Sequence, residues 1–174
     1  MLQTSSDLQQ LVLTSLVNDS SLFGNVIDDL TESFFSNSNF QFIYKSLYKY
    51  YKQYHKSPTL EEMKVLVSQQ HVPTLAPLTD ILMDLDSVYR GKITNPQFVI
   101  QSVETFIKRA KLEGLLVETA QKYESEKTLT IDAILDDFLK AYNYQVTDVD
   151  CMRLDDFDKY SKLRHEIFGD IDAS

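Results

Sequence analysis

The spacing of apolar residues predicts a chain built from helices. Leu8, Val12 and Leu16 recur at helical intervals, and the polar residues 18–21 are expected to end this first helix. A second, shorter helix is predicted around residues 23–30. Phe34 and Phe35 then lead into a polar connector at residues 36–38.

Two further helices carry recognisable start signals. Thr59 followed by Glu62 forms a capping box, which predicts a helix from about residue 60 to residue 70. Pro77 is suited to the start of a helix over residues 78–88. The first of these two helices is expected to bury Leu60, Met63, Leu66 and Val67.

Residues 39–58 contain five of the ten tyrosines and four lysines, which raises the possibility of a surface where nucleic-acid bases stack between cations. At about 100° per residue, one set of apolar side chains falls on a common line and the lysines gather opposite. We therefore predict a core helix with a solvated lysine face, on which Phe42 also falls. The line consists of Phe40, Ile43, Tyr44, Leu47, Tyr51 and Tyr54; the lysines are Lys45, Lys49, Lys52 and Lys56.

The second half of the chain predicts a long helical hairpin. Asn95 and Pro96 are typical of a helix start, and the pattern then runs to about residue 124, or about 43 Å. After a short loop, a second amphipathic helix follows. A hairpin of this kind cannot bury both apolar faces by itself, so it packs on its own head or on another subunit. The predicted interface residues are Val99, Val103, Phe106 and Ala110 on the long helix, with Ile131, Leu135 and Phe138 opposite.

These patterns predict an all-α fold in three parts. Residues 1–92 form a small helical head, residues 93–146 form the hairpin, and residues 147–174 form an acidic linker or tail. A weak helix is predicted within residues 154–168. The four glycines and four prolines are few for a fold rich in tight turns, which favours the same class.

Charge and cysteine content restrict the partners. The net charge is −9, with acidic ends and a mildly basic middle, which argues against a protein that binds duplex DNA along its length. The single cysteine, Cys151, excludes an intrachain disulfide. Because no signal peptide or membrane span is evident, we expect a cytoplasmic protein.

Motifs for catalysis or metal binding are missing from the sequence. No GxxxxGK[ST] phosphate loop is present. His55, His71 and His165 lack metal-ligand spacing, and Cys151 has no histidine nearby in sequence. The paired carboxylates at residues 28–29, 61–62, 136–137 and 155–156, and the acidic residues at 80–86, are expected to be solvated. We therefore predict no catalytic residue, no metal, no cofactor and no enzymatic activity for this chain.

The order of these elements resembles the N-terminal head of DnaB-type replicative helicases. The resemblance rests on LQQLVLTSLVNDSSLFGNVIDDLTESFF and FQFIYKSLYKYYKQYHKSPTLEEMKVLV. VETFIKRAKLEGLLVETAQKY and LDDFLKAYNYQVTD are similar to the hairpin that joins this head to the motor, in the phage branch of the family. The likeness spans about residues 5–170. The matching positions are Leu8, Val12, Leu16, Phe23, Val26, Leu30, Phe34, Phe35, Ile43, Tyr44, Leu47, Pro58 and Thr59.

The chain departs from this pattern in two ways. Thr14 stands near the position where bacterial members often carry glycine, and the ATPase core is absent. The stretch KYSKLRHEIFGDIDAS resembles the segment just before that core. The chain is therefore interpreted as part of a longer helicase or, alternatively, as a stand-alone paralogue or adaptor.

The resemblance implies assembly rather than catalysis. In this family, head and hairpin form dimers that close into a ring collar, and the hairpin helps to form the surface on which primase or a helicase loader docks. The expected partners are thus a second copy and primase or a loader, with DNA only indirectly involved, in the bacterial host cytoplasm if the protein is phage-encoded. The alternatives are a free-standing helicase-binding adaptor, loader or inhibitor, and a nucleic-acid binder using the lysines of residues 45–56.

Overall fold

The computed structural model describes residues 5–70, 77–125 and 131–146, without the side chains of residues 123–125 and 131. All regular structure in this part of the chain is helical, which confirms the all-α class. The predicted tail at residues 147–174, with its weak helix, lies outside the described residues. The elements are α1 (Ser6–Asn18), α2 (Ser20–Val26), a 3-10 turn (Glu32–Phe34), α3 (Ser38–Tyr54), α4 (Leu60–Gln69), α5 (Leu78–Arg90), α6 (Pro96–Ser125) and α7 (Ile131–Tyr142).

Local capping explains where most of these helices begin. Asn95 accepts a hydrogen bond from the Phe98 amide at 3.1 Å, as expected for the residue before Pro96. The capping box is present as predicted: the Thr59 amide donates to the Glu62 carboxylate at 2.7 Å, and the Glu62 amide donates to the Thr59 hydroxyl at 3.3 Å.

The predicted bounds of α2, residues 23–30, were wrong. Asp19 alone separates α1 from α2, because its carboxylate accepts from the amides of Ser21 and Leu22 at 3.0 and 2.9 Å and so starts the new helix at once. The helix ends earlier because a turn follows Val26, whose carbonyl accepts from the Leu30 amide at 3.0 Å.

Helix α3 is buried on more of its circumference than predicted. Phe42, expected on the lysine side, is buried together with Ser46 and Tyr50. The reason is α4, which packs on that side: the Tyr50 hydroxyl donates to Glu62 at 2.9 Å. Conversely, Tyr54 at the end of the predicted apolar line is 52% exposed.

The core of the head extends into α6. Val99, Val103, Phe106 and Ile107 belong to the same apolar cluster as the buried residues of α1, and the Phe106 ring lies 5.1 Å from that of Phe35. Helix α1 packs on both α5 and α6. The predicted boundary at residue 92 therefore falls in a connector, while the packing continues across it.

Helix α1 lies close to the end of α5. The Thr14 hydroxyl donates to the Val88 carbonyl at 3.0 Å, and a Cβ at Gly91 would lie only 2.6 Å from the Thr14 methyl group. Gly91 thus permits a close approach that any larger residue would obstruct. The contact orients the connector that leads into α6.

Polar contacts hold the chain after α7 against α6. Lys111 on α6 pairs with Asp29 and lies 4.2 Å from the centre of the Tyr144 ring. The Val146 amide donates to the Glu104 carboxylate at 2.9 Å, and Val146 itself is buried at the edge of the core. These contacts hold residues 144–146, which follow α7, against α6.

Candidate interaction surfaces

The predicted interface residues of the long helix lie mostly inside the molecule. Val103 and Phe106 are fully buried and Val99 is nearly so, all three within the core that α6 shares with the head. These three residues were predicted to pack either on their own head or on another subunit, and the structure shows them packed on their own head. A surface formed by these three side chains is not available to a partner in this structure, because the head covers it.

The remaining predicted residues lie farther along the hairpin. Ala110 is half-buried, Phe138 is half-buried and Leu135 is exposed. Ile131 is the first residue of α7, and its side chain lies outside the described part of the structure. The seven predicted residues consequently divide into a buried group near the head and a partly exposed group at the distal end.

The distal hairpin carries the largest concentration of exposed apolar side chains. Nine large hydrophobic residues are prominently exposed among those described, and five of them lie between residues 116 and 142, on α6 and α7. Their exposed fractions run from 54% to 68%. Among these five residues, Leu135 alone was a predicted interface residue, and the other four were missed, although Leu139 lies one helical turn from Leu135. The five are Leu116, Val117, Leu135, Leu139 and Tyr142.

The four lysines between residues 45 and 56 divide into two pairs; three of them lie on α3, and Lys56 follows the end of that helix. Lys45 pairs with Glu32 at 3.4 Å, and Lys52 pairs with Asp28 at 2.9 Å. Both of these lysines therefore face the segment between α2 and α3. Lys49 on the helix and Lys56 just beyond it form no ion pair with any residue that the structure describes, and both line a groove on the side of α4.

This groove lies between α3 and α4 and has a volume of about 730 Å³. The rings of Tyr50 and Tyr54 lie 4.5 Å apart along one wall, and Val65 of α4 is 54% exposed on the other. The prediction that rings and lysines face apart thus fails at Tyr54, which lines the groove together with Lys49 and Lys56. The remaining lining residues are Ser46, Gln53, Glu61, Glu62, Leu66 and Gln70.

Glu62 in this groove is committed to local hydrogen bonds. The Thr59 amide, followed by the Tyr50 hydroxyl, lowers the pKa of the Glu62 carboxyl below its usual range, and the charge of Lys56 acts in the same direction. Burial, together with the bond to Glu62, raises the pKa of Tyr50. Glu62 is therefore ionised at neutral pH with its charge already compensated by neighbours.

Four of the carboxylates singled out in the sequence form ion pairs or hydrogen bonds with other segments of the chain. Asp28 and Asp29 pair with lysines. Asp84 accepts a hydrogen bond from Asn39 at 2.7 Å, and Asp86 pairs with Lys64 at 2.9 Å. No group of three metal-binding side chains occurs among the described residues. Of the other candidates, His71, Cys151, His165 and the pair at 155–156 lie outside the described residues.

Within the ranges that the structure describes, no helix is both long enough and apolar enough to span a membrane. Comparison of the chain with models of known protein families, with curated proteins and with solved structures gave no match. Function is therefore inferred from the surfaces described above.

Proposed function

We propose that this chain is the non-catalytic assembly and partner-docking region of a hexameric replicative DNA helicase of the DnaB type. The observation that carries this proposal is the apolar surface of the distal hairpin, defined by Leu116, Val117, Leu135, Leu139 and Tyr142. The helical order of head and hairpin, on which the resemblance to that family rests, supports it.

The physical basis of this proposal is the apolar surface that the distal hairpin exposes to solvent. Hydrophobic burial contributes roughly 25 cal/mol for each Å² removed from water, so a cluster of exposed leucine, valine and tyrosine side chains favours association. In the rest of the described chain, the prominently exposed large apolar residues are Tyr54, Val65, Met83 and Phe98, and of these Tyr54 and Val65 line one groove between α3 and α4. The distal hairpin differs because both of its helices expose several.

The proposed partners follow from this surface and from the family. A second copy covers the distal hairpin, and dimers of this kind close into a collar. Primase or a helicase loader then docks on the assembled hairpins. DNA is contacted only indirectly, in keeping with the net charge of −9.

Light scattering after size exclusion tests the assembly over a concentration series. We expect the mass of the full chain to rise from monomer towards dimer or higher, and the double variant Leu135→Ser, Leu139→Ser to remain monomeric with unchanged helicity. Met83→Ser removes an equally exposed apolar side chain from the head and serves as the matched control, which should assemble like the original chain. Phe106 is unsuitable for this test because its replacement would disrupt the core.

A strictly monomeric chain at every concentration would contradict assembly through the hairpin. If that monomer instead co-elutes with a purified DnaB-type helicase, the adaptor alternative replaces the proposal. Equal loss of assembly in the hairpin variant and in Met83→Ser would mean that association is non-specific.

A further inference from the structure

A second groove, which we call the α6 groove, lies at the start of the long helix. Its lining residues come from the ends of α1 and α5, from α2, and from the connector and first turns of α6, and its volume is about 820 Å³. Its apolar wall includes Ile93 and Ile100, which are partly buried, and Pro96, which is exposed. An open apolar groove of this size can hold an extended segment of a protein chain.

The last described residues of the chain run along α6 towards this groove. The Lys111 amine lies 4.2 Å from the centre of the Tyr144 ring, and the Val146 amide donates to Glu104 at 2.9 Å. The chain thus advances by two residues while its contact on α6 moves seven residues towards the start of that helix. At about 100° per residue, Lys111, Glu104 and Ile100 lie within about 40° of one another on α6, so the same face leads into the groove.

The chain that follows Val146 is long enough to reach and fill the α6 groove. Pro96 lies about 12 Å from Glu104 along the helix. An extended chain spans about 3.3 Å per residue, so about four residues after Val146 cover this distance. Residues 147–156 therefore suffice both to reach the groove and to continue along it.

The α6 groove carries a surplus of positive charge. Its charged lining residues are Asp19, Arg90 and Lys92, and the Asp19 carboxylate is already engaged as the cap of α2. Lys92 forms no ion pair with any residue that the structure describes. Arg90 lies 3.8 Å from Asp86, which also pairs with Lys64 at 2.9 Å, so one carboxylate faces two cations.

The sequence of residues 147–156 matches this groove in charge and in apolar content. The segment TDVDCMRLDD contains four aspartates and one arginine, which gives it a net charge of −3. Apolar side chains alternate with these charges at Val149, Met152 and Leu154. Opposite charges on segment and groove favour their contact, and the apolar residues can cover the wall of the groove.

We propose that residues 147–156 of this chain bind in the α6 groove, with aspartates at Arg90 and Lys92 and apolar side chains against the wall formed by Ile93, Pro96 and Ile100. The acidic segment is then held on the head beside the connector from α5 to α6, and the residues after 156 start from that side of the molecule. This inference does not rest on assembly of the hairpin.

Zero-length cross-linking with a carbodiimide tests the position of the segment in the unaltered full chain, because this reagent joins a lysine amine to a carboxylate only when the two are in contact. We expect peptide mass spectrometry of the monomer fraction to find Lys92 joined to aspartates of residues 147–156. Absence of this link, or links from these aspartates to other lysines at equal yield, would overturn the proposal.

A mixture of isotope-labelled and unlabelled chains shows whether the segment binds its own head. Links within one chain have a single isotope composition, whereas links between copies include mixed pairs. Mixed pairs as frequent as random exchange predicts would show that the segment binds a second copy, and the proposal would be wrong.

Matched variants test the role of charge. Arg90→Gln should lower the yield of the Lys92 link about threefold, as expected for loss of an exposed ion pair, while Lys49→Gln on α3 should leave it unchanged. The hairpin variant Leu135→Ser, Leu139→Ser should keep the link, so failure of hairpin assembly and failure of this contact are distinguishable. An equal effect of Arg90→Gln and Lys49→Gln would contradict a specific site.

Amide chemical shifts from nuclear magnetic resonance provide a test that needs no reagent. Asp148→Asn with Asp150→Asn should shift the signals of Arg90, Lys92 and Thr94, which lie at the groove. Asp170→Asn with Asp172→Asn removes two charges from the same tail outside the segment and should leave those signals in place. If the first pair leaves them in place too, the segment does not bind there.

Discussion

Single polar side chains join segments that are distant in the sequence. Gln9 on α1 is buried, and its amide group bonds to both the amide and the hydroxyl of Ser36 at 2.9 and 2.7 Å. The buried Tyr44 hydroxyl donates to the Leu30 carbonyl at 2.9 Å. Because an unpaired buried carbonyl is costly, these bonds hold the irregular stretch between α2 and α3 in place.

His55 is a residue in a backbone conformation that favours glycine. It ends α3 with φ 53° and ψ 32°, and its amide donates to the Tyr51 carbonyl at 2.8 Å. Of the residues that the structure describes, it is the one non-glycine with positive φ. A side chain in this left-handed region is disfavoured relative to glycine.

We predict that His55→Gly raises the free energy of unfolding by about 1 kcal/mol, measured by urea denaturation. His55→Ala is the control, because it removes the imidazole without relieving the backbone. If the alanine variant gains as much stability as the glycine variant, the side chain rather than the backbone is responsible, and the prediction is wrong.

At the scale of the element, α6 is one helix with two environments. Its first turns, through Ile107, are packed in the core of the head, whereas Leu116 and Val117 are exposed. The change occurs along an unbroken helix of 30 residues, or about 45 Å. Such a helix extends past the head and carries apolar residues into solvent at its far end.

Gly114 in this exposed part of α6 is open to substitution. A Cβ added there would meet no atom within 4 Å. Because glycine is less favourable than alanine inside a helix, Gly114→Ala should stabilise the isolated chain by about 1 kcal/mol, measured by thermal or urea unfolding at low protein concentration.

The same variant also reports on assembly. If another copy packs closely against α6 at Gly114, the added methyl group should weaken association in light scattering while still stabilising the monomer. Loss of stability in the monomer would contradict the open environment of Gly114. Gly91→Ala is the contrasting control, since it must destabilise through its clash with Thr14.

At the scale of the whole molecule, head and hairpin are joined by a shared core. Phe106 from α6 packs against Phe35 next to the 3-10 turn, and the contacts of Lys111 and Val146 secure the end of the hairpin. A core that crosses between two segments couples their unfolding.

Phe106→Ala should therefore cost about 3–5 kcal/mol and destabilise head and hairpin together. Far-ultraviolet circular dichroism and tyrosine fluorescence, followed in the same denaturation series, should give one common transition at a lower midpoint. Phe98→Ala, which changes an exposed ring on the same helix, should have little effect. A hairpin that stays folded after the head has unfolded would contradict the shared core.

Much of the element content could be predicted from local signals. The capping box at Thr59 and the start of α6 at Asn95 and Pro96 depend on residues within one turn of each other, so their chemistry is visible in the sequence. The bounds of α2 were wrong because Asp19 alone ends one helix and starts the next, where its polar neighbours suggested a longer stop. Short helices depend on single caps, which a pattern of apolar residues does not resolve.

The candidate surfaces were harder to predict than the elements. Periodicity identifies an apolar face but does not identify what covers it, so Phe106 and Leu135 received the same interpretation although one is buried and the other exposed. The same limit applied to α3, where Phe42 is buried on the side of α4 and Tyr54 is exposed to solvent. In both cases the missing information was the position of a neighbouring helix.

The sequence by itself determined that this protein is helical, because helix spacing, caps and the shortage of glycine and proline act through near neighbours along the chain. Only the tertiary structure decided which apolar faces are buried and which stay exposed. Burial depends on contacts between residues far apart in sequence, such as Phe35 with Phe106 and Thr14 with Val88. Those contacts exist only once the helices have packed.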